Sequence, residues 1–455
     1  MSRSAPRVVV IGGGLAGSEA AWQAARLGAD VTLFEMRPRK MTEAHTTGNL
    51  AELVCSNSFK SDSISNANGL LKLELRMLGS MLMDVAAEAR VPAGSALCVD
   101  RSLFGSGVTR SIESSGRVTL LREEAVTLTD DAVNVLAPGP LASAAVSRVL
   151  ETIVGTRNLF FYDAVSPIIE TESIDLSRMY RSARYGKGDS TYINLPLDRQ
   201  QYMDFLNGLR QAELVPKRDF EDVRFFSGCM PIEELAGMGD ETLAHGCMKP
   251  VGLVDPRTGR IPHAVVQLRP ENLEGSLHGM VGFQTRLRHG EQKRVFRLLP
   301  GLENARFARL GSIHRNTYVN APVTLGPTLE HLQLENVVFA GQITGAEGYM
   351  AAIATGLLAG INAARKAFKI PCVVPPAETM LGGLVRYVSV APSRSFQPMN
   401  PNFGLLPRLG PRMRDKQRRN LLLSERSAVV LKAWIDETGI AKTLDGAVDY
   451  SGVLP

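Results

Sequence analysis

The chain has 455 residues, of which 44% are hydrophobic and 21% are charged, and this usage excludes a disordered or fibrous protein. At about 150 residues per domain, the length predicts more than one domain and a core large enough to fold without a disulfide or structural metal. The net charge of +5, from 51 basic and 46 acidic side chains, is compatible with a polyanionic ligand but too small to establish one.

The cysteines and histidines form none of the spacings that hold a structural metal, so we predict no metal site. Five cysteines with no C-x-x-C pair are typical of a reducing compartment. No run of about 18 apolar residues predicts a membrane span, and the apolar run at 8–11 is too short for an export signal. We therefore expect a cytoplasmic protein that does not enter a membrane.

The first predicted unit is a strand, a glycine-rich turn, a helix and a second strand. The β-branched run at 8–11 is typical of a buried parallel strand, and 15–27 is Ala-rich with apolar residues at helical spacing. Gly28 is a common residue at the end of a helix, and 31–34 predicts the second strand.

The turn of this unit fits the pattern G-x-G-x-x-G. In this pattern the first glycine permits a tight turn, the second lets backbone approach a pyrophosphate, and the third allows close helix–strand packing. The helix N-terminus adds N–H groups for phosphate oxygens, and an acid about 20 residues further on can accept ribose hydroxyl groups. The predicted dinucleotide-binding residues are Gly12, Gly13, Gly14, Leu15, Ala16, Gly17 and Glu35.

Further along the chain, 132–137 and the helical stretch 141–154 predict another strand-to-helix crossing. Short strand-like runs alternate with loops from about 160 to 330, and 336–340 predicts a strand followed by a helix at 349–367. Prolines at 371, 375 and 376 mark a break, after which a Gly- and Arg-rich segment leads to a terminal helix around 424–437.

A second glycine-rich element lies between the predicted strand at 336–340 and its helix. It contains Gly341, Gln342 and Gly345. We expect it to direct another helix N-terminus toward the ligand that the first glycine-rich turn would bind. FAD is long, and its flavin ring needs a second backbone platform. Because no second G-x-G-x-x-G exists for a dedicated NAD domain, these residues favour FAD, with a nicotinamide cofactor as a transient reductant.

We therefore predict an α/β fold, with a Rossmann-like FAD-binding domain assembled from both chain ends and an inserted α+β domain. The expected division is 1–95 for the first part of the FAD-binding domain, 96–330 for the mostly inserted domain, and 331–370 for the second part. Within the insertion, 198–245 is expected to return to the FAD-binding domain, and 371–455 is expected to pack on it.

Several longer motifs accompany the two glycine-rich elements: AELVCSNSFKS at 51–61, GCMPIE at 228–233, HRNTY at 314–318 and FQPMN at 396–400. Together they resemble the folate- and FAD-dependent tRNA (uracil-5-)-methyltransferase family, TrmFO, over nearly the whole chain. One departure is Pro138, where the family usually has threonine. A wider similarity is to the MnmG or GidA flavoproteins, whose much greater length disfavours that alternative.

The resemblance implies that methylenetetrahydrofolate supplies a one-carbon unit to uracil C5 in the tRNA T loop, forming ribothymidine. FAD would supply electrons, and NADH or NADPH would recharge it. Uracil C5 is a poor nucleophile, so a thiolate that adds at C6 would activate it. The target base must also leave its stack to be reached.

Two cysteines are candidates for this thiol chemistry. Cys229 lies just before Pro231, which is favoured at a helix start, and the helix dipole there lowers a thiol pKa. Cys55 lies among polar residues near Lys60. From the residues alone, a buried apolar side chain is the favoured interpretation of either cysteine. The resemblance casts Cys229 as the nucleophile and Cys55 as a second thiol near the flavin; Cys98, Cys247 and Cys372 are interpreted as core residues.

The resemblance also places His314 and Tyr349 at the folate. Three stretches interleave basic and aromatic residues, a combination that suits phosphates and unstacked RNA bases: 178–187, 286–297 and 408–419. In the first stretch, Arg178, Arg181 and Arg184 are the predicted RNA contacts. A solvated charged face is the ordinary alternative for such runs.

Three rival functions remain open at this point. The same chemistry could act on ribosomal RNA, because no motif encodes the T loop. An FAD oxidoreductase acting on a small metabolite would not need the basic–aromatic stretches. A non-enzymatic RNA-binding flavoprotein would bind RNA and leave folate untouched.

Overall fold

The computed structural model describes residues 6–42, 44–155, 159–160, 163–186, 192–215, 230–270, 275–314, 317–393, 396, 398–410 and 413–440. The α-helices are α1 (Leu15–Arg26), α2 (Ala67–Met77), α3 (Met81–Glu88), α4 (Arg101–Glu113), α5 (Ala144–Val154), α6 (Arg199–Arg210), α7 (Ile232–Gly237), α8 (Thr242–His245), α9 (His289–Phe296), α10 (Ala321–Thr324), α11 (Tyr349–Ala367), α12 (Met380–Val390) and α13 (Lys416–Thr438). The strands are β1 (Arg7–Ile11), β2 (Asp30–Phe34), β3 (Ser58–Ser61), β4 (Arg90–Val91), β5 (Ala96–Val99), β6 (Val118–Leu121), β7 (Val133–Leu136), β8 (Leu159–Phe160), β9 (Asp163–Val165), β10 (Ile168–Glu170), β11 (Tyr180–Arg181), β12 (Ile193–Leu197), β13 (Ala264–Pro270), β14 (Leu277–Met280), β15 (Phe307–Arg309), β16 (Ser312–His314), β17 (Tyr318–Val319) and β18 (Val337–Phe339).

A five-stranded parallel sheet carries the predicted Rossmann-like unit. Its order is β18-β7-β1-β2-β6, and β1 pairs in parallel with both β2 and β7. The strand β18, from the far end of the chain, completes the sheet beside β7. The sheet confirms the prediction of an α/β fold built from both chain ends.

Helices α1 and α11 pack closely together on this sheet. A Cβ atom on Gly356 would overlap backbone of Ala16, and one on Gly360 would overlap backbone of Ala20. Glycine is therefore required at both positions for the helix axes to approach. The surrounding hydrophobic core takes residues from 8–154 and from 319–440.

A second core forms around a six-stranded sheet with the order β11-β12-β13-β14-β10-β15. The pairs within it are antiparallel. Side chains of α6, α7 and α8 belong to this second core, including Tyr202, Phe205, Ile232 and Leu243. The sequence analysis expected 198–245 to return to the FAD-binding domain, whereas the described part of that stretch packs on the antiparallel sheet. Conversely, β6 and β7 from the predicted insertion belong to the parallel sheet.

The C-terminal helices pack on the first core. Helix α12 was not predicted, and α13 begins at Lys416, earlier than the expected 424, because the Asp415 side chain accepts a hydrogen bond from the Arg418 N–H. Buried Leu384 and Leu431 join both helices to the core. Within the described part of the chain, every helix is too short or too polar to span a bilayer.

Candidate active site

The first glycine-rich loop has the geometry of an anion-binding turn. Gly12 has φ +106°, and a Cβ on Gly17 would overlap the carbonyl of Gly12, so both positions require glycine. At Gly14 an added Cβ would meet no atom within 4 Å, and no side chain caps α1 there. The loop is therefore open at Gly14, and the first N–H groups of α1 have no side-chain cap, so that a phosphate bound there could accept their hydrogen bonds.

Glu35 directly follows β2, next to this loop, and is buried. Its Oε2 accepts a hydrogen bond from the Gly13 N–H at 3.0 Å, and its Oε1 accepts one from Arg37 Nε at 2.9 Å. Burial alone opposes ionisation, but the hydrogen bonds and charge of Arg37 outweigh it, so the pKa of Glu35 lies below its ordinary 4.5. The backbone N–H and Nη2 of Arg37 also bind this carboxylate. Both carboxylate oxygens of Glu35 thus accept hydrogen bonds from within the chain. That Glu35 also binds the hydroxyl groups of a ribose stays a prediction.

A cavity with about 390 Å³ of empty space adjoins the loop. Gly12, Glu35 and Met36 line one side of it, and Pro138 with Val146 lines the other. Pro138, the departure from the family pattern, is therefore a wall residue of the pocket beside the predicted ribose site.

A larger cleft, with about 1070 Å³ of empty space, lies between the two cores. Cys55 and Lys60 come from the segment before and within β3, while Gly279 and Gln284 come from β14 and the loop after it. The second glycine-rich element lines it with Gln342, Glu347, Gly348 and Tyr349. The structure therefore brings Cys55, Gln342 and Tyr349 together at one cleft.

The second glycine-rich element turns sharply between β18 and α11. Gly341 and Gly345 have φ +86° and +82°, and Gly348 has φ +94° immediately before α11. No side chain caps the N-terminus of α11, and Gln342 Nε2 donates to Glu347 Oε2 at 2.8 Å. A second helix start with available N–H groups therefore opens on the cleft.

Tyr349 holds the backbone of the Cys55 segment. Its hydroxyl oxygen accepts hydrogen bonds from the N–H groups of Cys55 at 2.8 Å and Ser56 at 3.0 Å. Burial raises the pKa of Tyr349 above its ordinary 10.0, so the hydroxyl is neutral. Its ring lies 5.8 Å from that of Phe59. The resemblance implied a folate contact for Tyr349, and that role remains a prediction beside this positioning contact.

Two arginines hold the carbonyl groups of the same segment. Arg309 Nη1 donates to the Val54 carbonyl at 2.6 Å, and Arg101 Nη1 donates to the Leu53 carbonyl at 2.8 Å. Arg309 Nη2 also reaches the Cys55 carbonyl at 3.4 Å. The cysteine is thus fixed through its backbone by residues from three distant parts of the chain, and sequence reasoning missed both arginines.

A buried asparagine anchors another cation of the cleft. Asn57 donates to the carbonyls of Val99 and Pro270, and its Oδ1 accepts from Arg269 Nε at 2.8 Å. Arg269 and Lys60 line the cleft together. This part of the cleft therefore carries two basic side chains.

Cys229 lies outside the described residues. The described chain resumes at Met230, and α7 begins at Ile232, whose N–H donates to the carbonyl of the cleft residue Gln284 at 2.7 Å. Glu233 in the first turn is buried; burial raises its pKa, although Arg286 N–H and Thr285 Oγ1 donate to it.

The remaining predicted site residues are dispersed. The backbone of His314 pairs with Asp163 in a short antiparallel ladder, but its side chain is outside the described set. Arg178 is exposed and pairs with Glu303 at 2.9 Å, and Arg181 is exposed on β11. Arg184 is half-buried.

The guanidinium group of Arg184 holds a neighbouring loop. It donates to the carbonyls of Lys249 and Val251 and to Gln267 Oε1. Among the cysteines interpreted as core, Cys98 is buried, whereas Cys247 and Cys372 are only partly buried.

A protein-family model described as Glucose inhibited division protein A matches residues 7–371 of this chain. A protein of Aquifex aeolicus named methylenetetrahydrofolate--tRNA-(uracil-5-)-methyltransferase TrmFO is 52% identical, over 95% of this chain and 97% of that protein. Proteins of the same name from Moorella thermoacetica and Geobacter sulfurreducens are 50% and 52% identical, each over 94% of this chain.

A solved structure of Aquifex aeolicus GidA has a similar fold. It superposes with a TM-score of 0.67 over 96% of this chain and 75% of that one, at 18% sequence identity. This likeness extends the agreement in fold to both cores described above.

Proposed function

The chain belongs to the Glucose inhibited division protein A family and, within it, to the TrmFO proteins, and from that membership we propose that it is a methylenetetrahydrofolate--tRNA-(uracil-5-)-methyltransferase acting on the T loop. The observation that carries the proposal is 50–52% identity to TrmFO proteins over nearly the whole chain. The cleft supports it, because a fixed cysteine and two cations line the same space.

The residues present fit FAD. The uncapped start of α1, with open space at Gly14, would hold the pyrophosphate, and the uncapped start of α11 at Gly348 would face the flavin. When bound, FAD supplies the electrons that reduce the transferred one-carbon unit to a methyl group. We propose NADH or NADPH as the source of those electrons and methylenetetrahydrofolate as the carbon donor.

The chain's own contribution is nucleophilic and positional. A thiolate that adds to uracil C6 makes C5 nucleophilic, and C5 can then attack the methylene carbon. We assign this role to Cys229, just before the helix that begins next to Gln284, and a second thiol role in the cleft to Cys55. Because tRNA, folate and reduced nicotinamide cofactors are cytoplasmic substrates, the proposal includes a cytoplasmic location.

The test is tritium release from uridine labelled at C5 in a tRNA transcript. We expect release only with methylenetetrahydrofolate, and we expect Cys229→Ala to keep the flavin and lose at least about a hundredfold in rate. Cys372→Ala is the matched control, since its sulfur contacts Glu330 outside the cleft. Release from a ribosomal RNA fragment alone would overturn the tRNA assignment, and folate-independent release would overturn the donor.

A further inference from the structure

Lys60 adopts a backbone conformation that a lysine rarely takes. Its φ is +65°, in the left-handed region, and the pairing of β3 with β5 shifts register between Ser58 and Ser61. Such an irregularity bends a strand and redirects a side chain. Strain of this kind persists where the surrounding structure enforces it, and it concentrates at functional sites.

A buried ammonium group enforces the conformation. Lys72 on α2 has an exposed fraction of 0%. Its Nζ donates to the carbonyls of Ser61 at 2.6 Å, Lys60 at 3.2 Å and Asn68 at 3.4 Å. Burial lowers the pKa of Lys72 to about 8, so holding this charge inside the protein is costly. The fold uses a buried cation to fix two carbonyls of the irregular segment.

The Lys60 side chain is thereby placed at the cleft. It is exposed and lines the cleft together with Cys55, Ser56 and Ser58. Within the described residues, no hydrogen bond or ion pair engages its ammonium group. Arg269 provides a second cation on the same cleft. Two cationic side chains suit a ligand with two nearby carboxylates better than a neutral one.

We propose that Lys60 binds a carboxylate of the glutamyl end of methylenetetrahydrofolate, with Arg269 as its cationic neighbour and Lys72 as the positioning residue. This inference rests on the proposed function, because it takes the folate from it. Lys60 acts on affinity for the donor and leaves the reacting carbon untouched.

The test compares tetrahydrofolate with tetrahydropteroate, which lacks the glutamyl group with its two carboxylates and ends in the carboxylate of the benzoate ring. Tetrahydrofolate and tetrahydropteroate are titrated into the flavin-loaded protein by equilibrium dialysis. We expect Lys60→Asn to weaken tetrahydrofolate about fivefold and to leave tetrahydropteroate unchanged, because an exposed charge pair contributes modestly. Asparagine tolerates positive φ, so the variant removes the charge while keeping the backbone.

Four further variants complete the design. Lys60→Gly takes the same φ freely and should repeat the result, and Lys60→Arg should restore tetrahydrofolate binding. Lys72→Met should produce the same glutamyl-specific loss, which a general loss of stability would not. Lys432→Gln, exposed on α13 and outside the cleft, removes an equal charge and should change neither ligand.

Equal effects on both ligands, or no effect on either, would overturn the proposal. Unchanged folate binding with a shallower salt dependence of tRNA affinity would overturn it in favour of an RNA phosphate. Because dialysis does not depend on methylation, a wild type that binds tetrahydrofolate but fails to methylate tRNA contradicts the proposed function alone.

Discussion

A single phenol oxygen links the second glycine-rich element to the Cys55 segment. Tyr349 is the first residue of α11, and its hydroxyl accepts the N–H groups of Cys55 and Ser56. A partly buried backbone N–H that is left without a hydrogen-bond partner destabilises the protein by more free energy than a typical hydrogen bond contributes on balance. The position of the Cys55 thiol in the cleft therefore depends on this oxygen.

Tyr349→Phe removes the oxygen and keeps the ring. We expect a loss of about 1–3 kcal/mol in the free energy of unfolding and about a tenfold drop in the methylation rate at saturating substrates, with flavin content unchanged. Tyr202→Phe is the control, because its hydroxyl donates to the Asp240 carbonyl in the second core. It should lower the unfolding midpoint without changing the rate. A Tyr349→Phe enzyme with full rate would show that the contact is structural only.

Residue-scale geometry was only partly accessible from the sequence. The glycine pattern predicted the loop at Gly12 and the acid Glu35 because spacing along one β-α-β unit encodes both. Arg37 engages that acid, and Arg101 and Arg309 hold the Cys55 segment, through contacts that no local pattern encodes. A hydrogen bond between a guanidinium group and a carbonyl from a distant part of the chain produces no recognisable spacing pattern in the sequence.

At the scale of elements, the start of α1 is an open turn. Gly14 precedes the helix without a capping side chain, and an added Cβ there meets no atom within 4 Å. An aspartate at such a position is a good helix cap, so it would satisfy the N–H groups that a pyrophosphate would otherwise use. Folding and cofactor binding can therefore be separated at this residue.

Gly14→Asp should give a folded, colourless protein. Its unfolding midpoint should equal or exceed that of wild-type apoprotein, since the new carboxylate caps α1 and repels phosphate. Absorbance of purified protein in the flavin bands and thermal unfolding measure the two effects. Gly290→Asp, also near a helix start with open space, is the matched control and should remain yellow. A yellow Gly14→Asp protein would contradict the assigned pyrophosphate site.

Three helices meet at one buried carboxyl group. Glu74 on α2 accepts hydrogen bonds from the N–H groups of Met380 and Leu381 at the start of α12 and from Ser427 on α13. Burial outweighs these donors and raises the pKa of Glu74 from 4.5 to about 7. The folded protein therefore holds this proton more tightly than the unfolded chain does.

Because of this raised pKa, Glu74 should make the folded protein less stable as the pH rises. The stabilisation from Glu74 is complete below about pH 4.5 and is lost as the pH rises to about 7, a change on the order of 3 kcal/mol. Urea unfolding at pH 5 and pH 8 should show this loss in the wild type and a smaller one in Glu74→Gln. Other groups titrate in both proteins, so the difference between them isolates Glu74. Identical pH dependence in the two proteins would contradict the raised pKa.

The whole molecule divides its packing between two cores, and the division was the least predictable feature. Strand and helix patterns predicted the parallel sheet, because β1, β7 and β18 are apolar runs next to glycine turns. The stretch 198–245 has helices with ordinary apolar faces, and such faces do not specify which sheet they cover. Its placement on the antiparallel sheet depends on pairs such as Phe205 with Phe283.

RNA binding would depend on basic side chains spread over the protein surface. Arg181 is exposed, whereas Arg184 is half-buried and bound to carbonyls, so the two should respond differently. We expect Arg181→Ala to reduce the slope of log affinity against log salt by about 0.7–0.9, for tRNA and unrelated RNA alike.

Arg184→Ala is the comparison, and it should lower the unfolding midpoint instead. Filter binding across a salt series and thermal unfolding give the two readings. If the slope of log affinity against log salt is unchanged in Arg181→Ala, this residue does not contact RNA phosphates.

The pairing of α1 with α11 has a consequence for synthesis on the ribosome. At roughly 5–20 residues per second, the partner helix emerges tens of seconds after α1. Until then the edge of β7 that β18 later covers is open, and such an edge invites association with other nascent chains. The close contacts at Gly356 and Gly360 cannot form earlier. We therefore expect the nascent chain to need shielding of this edge over most of its translation, because the strand and helix that complete the first unit are made only late.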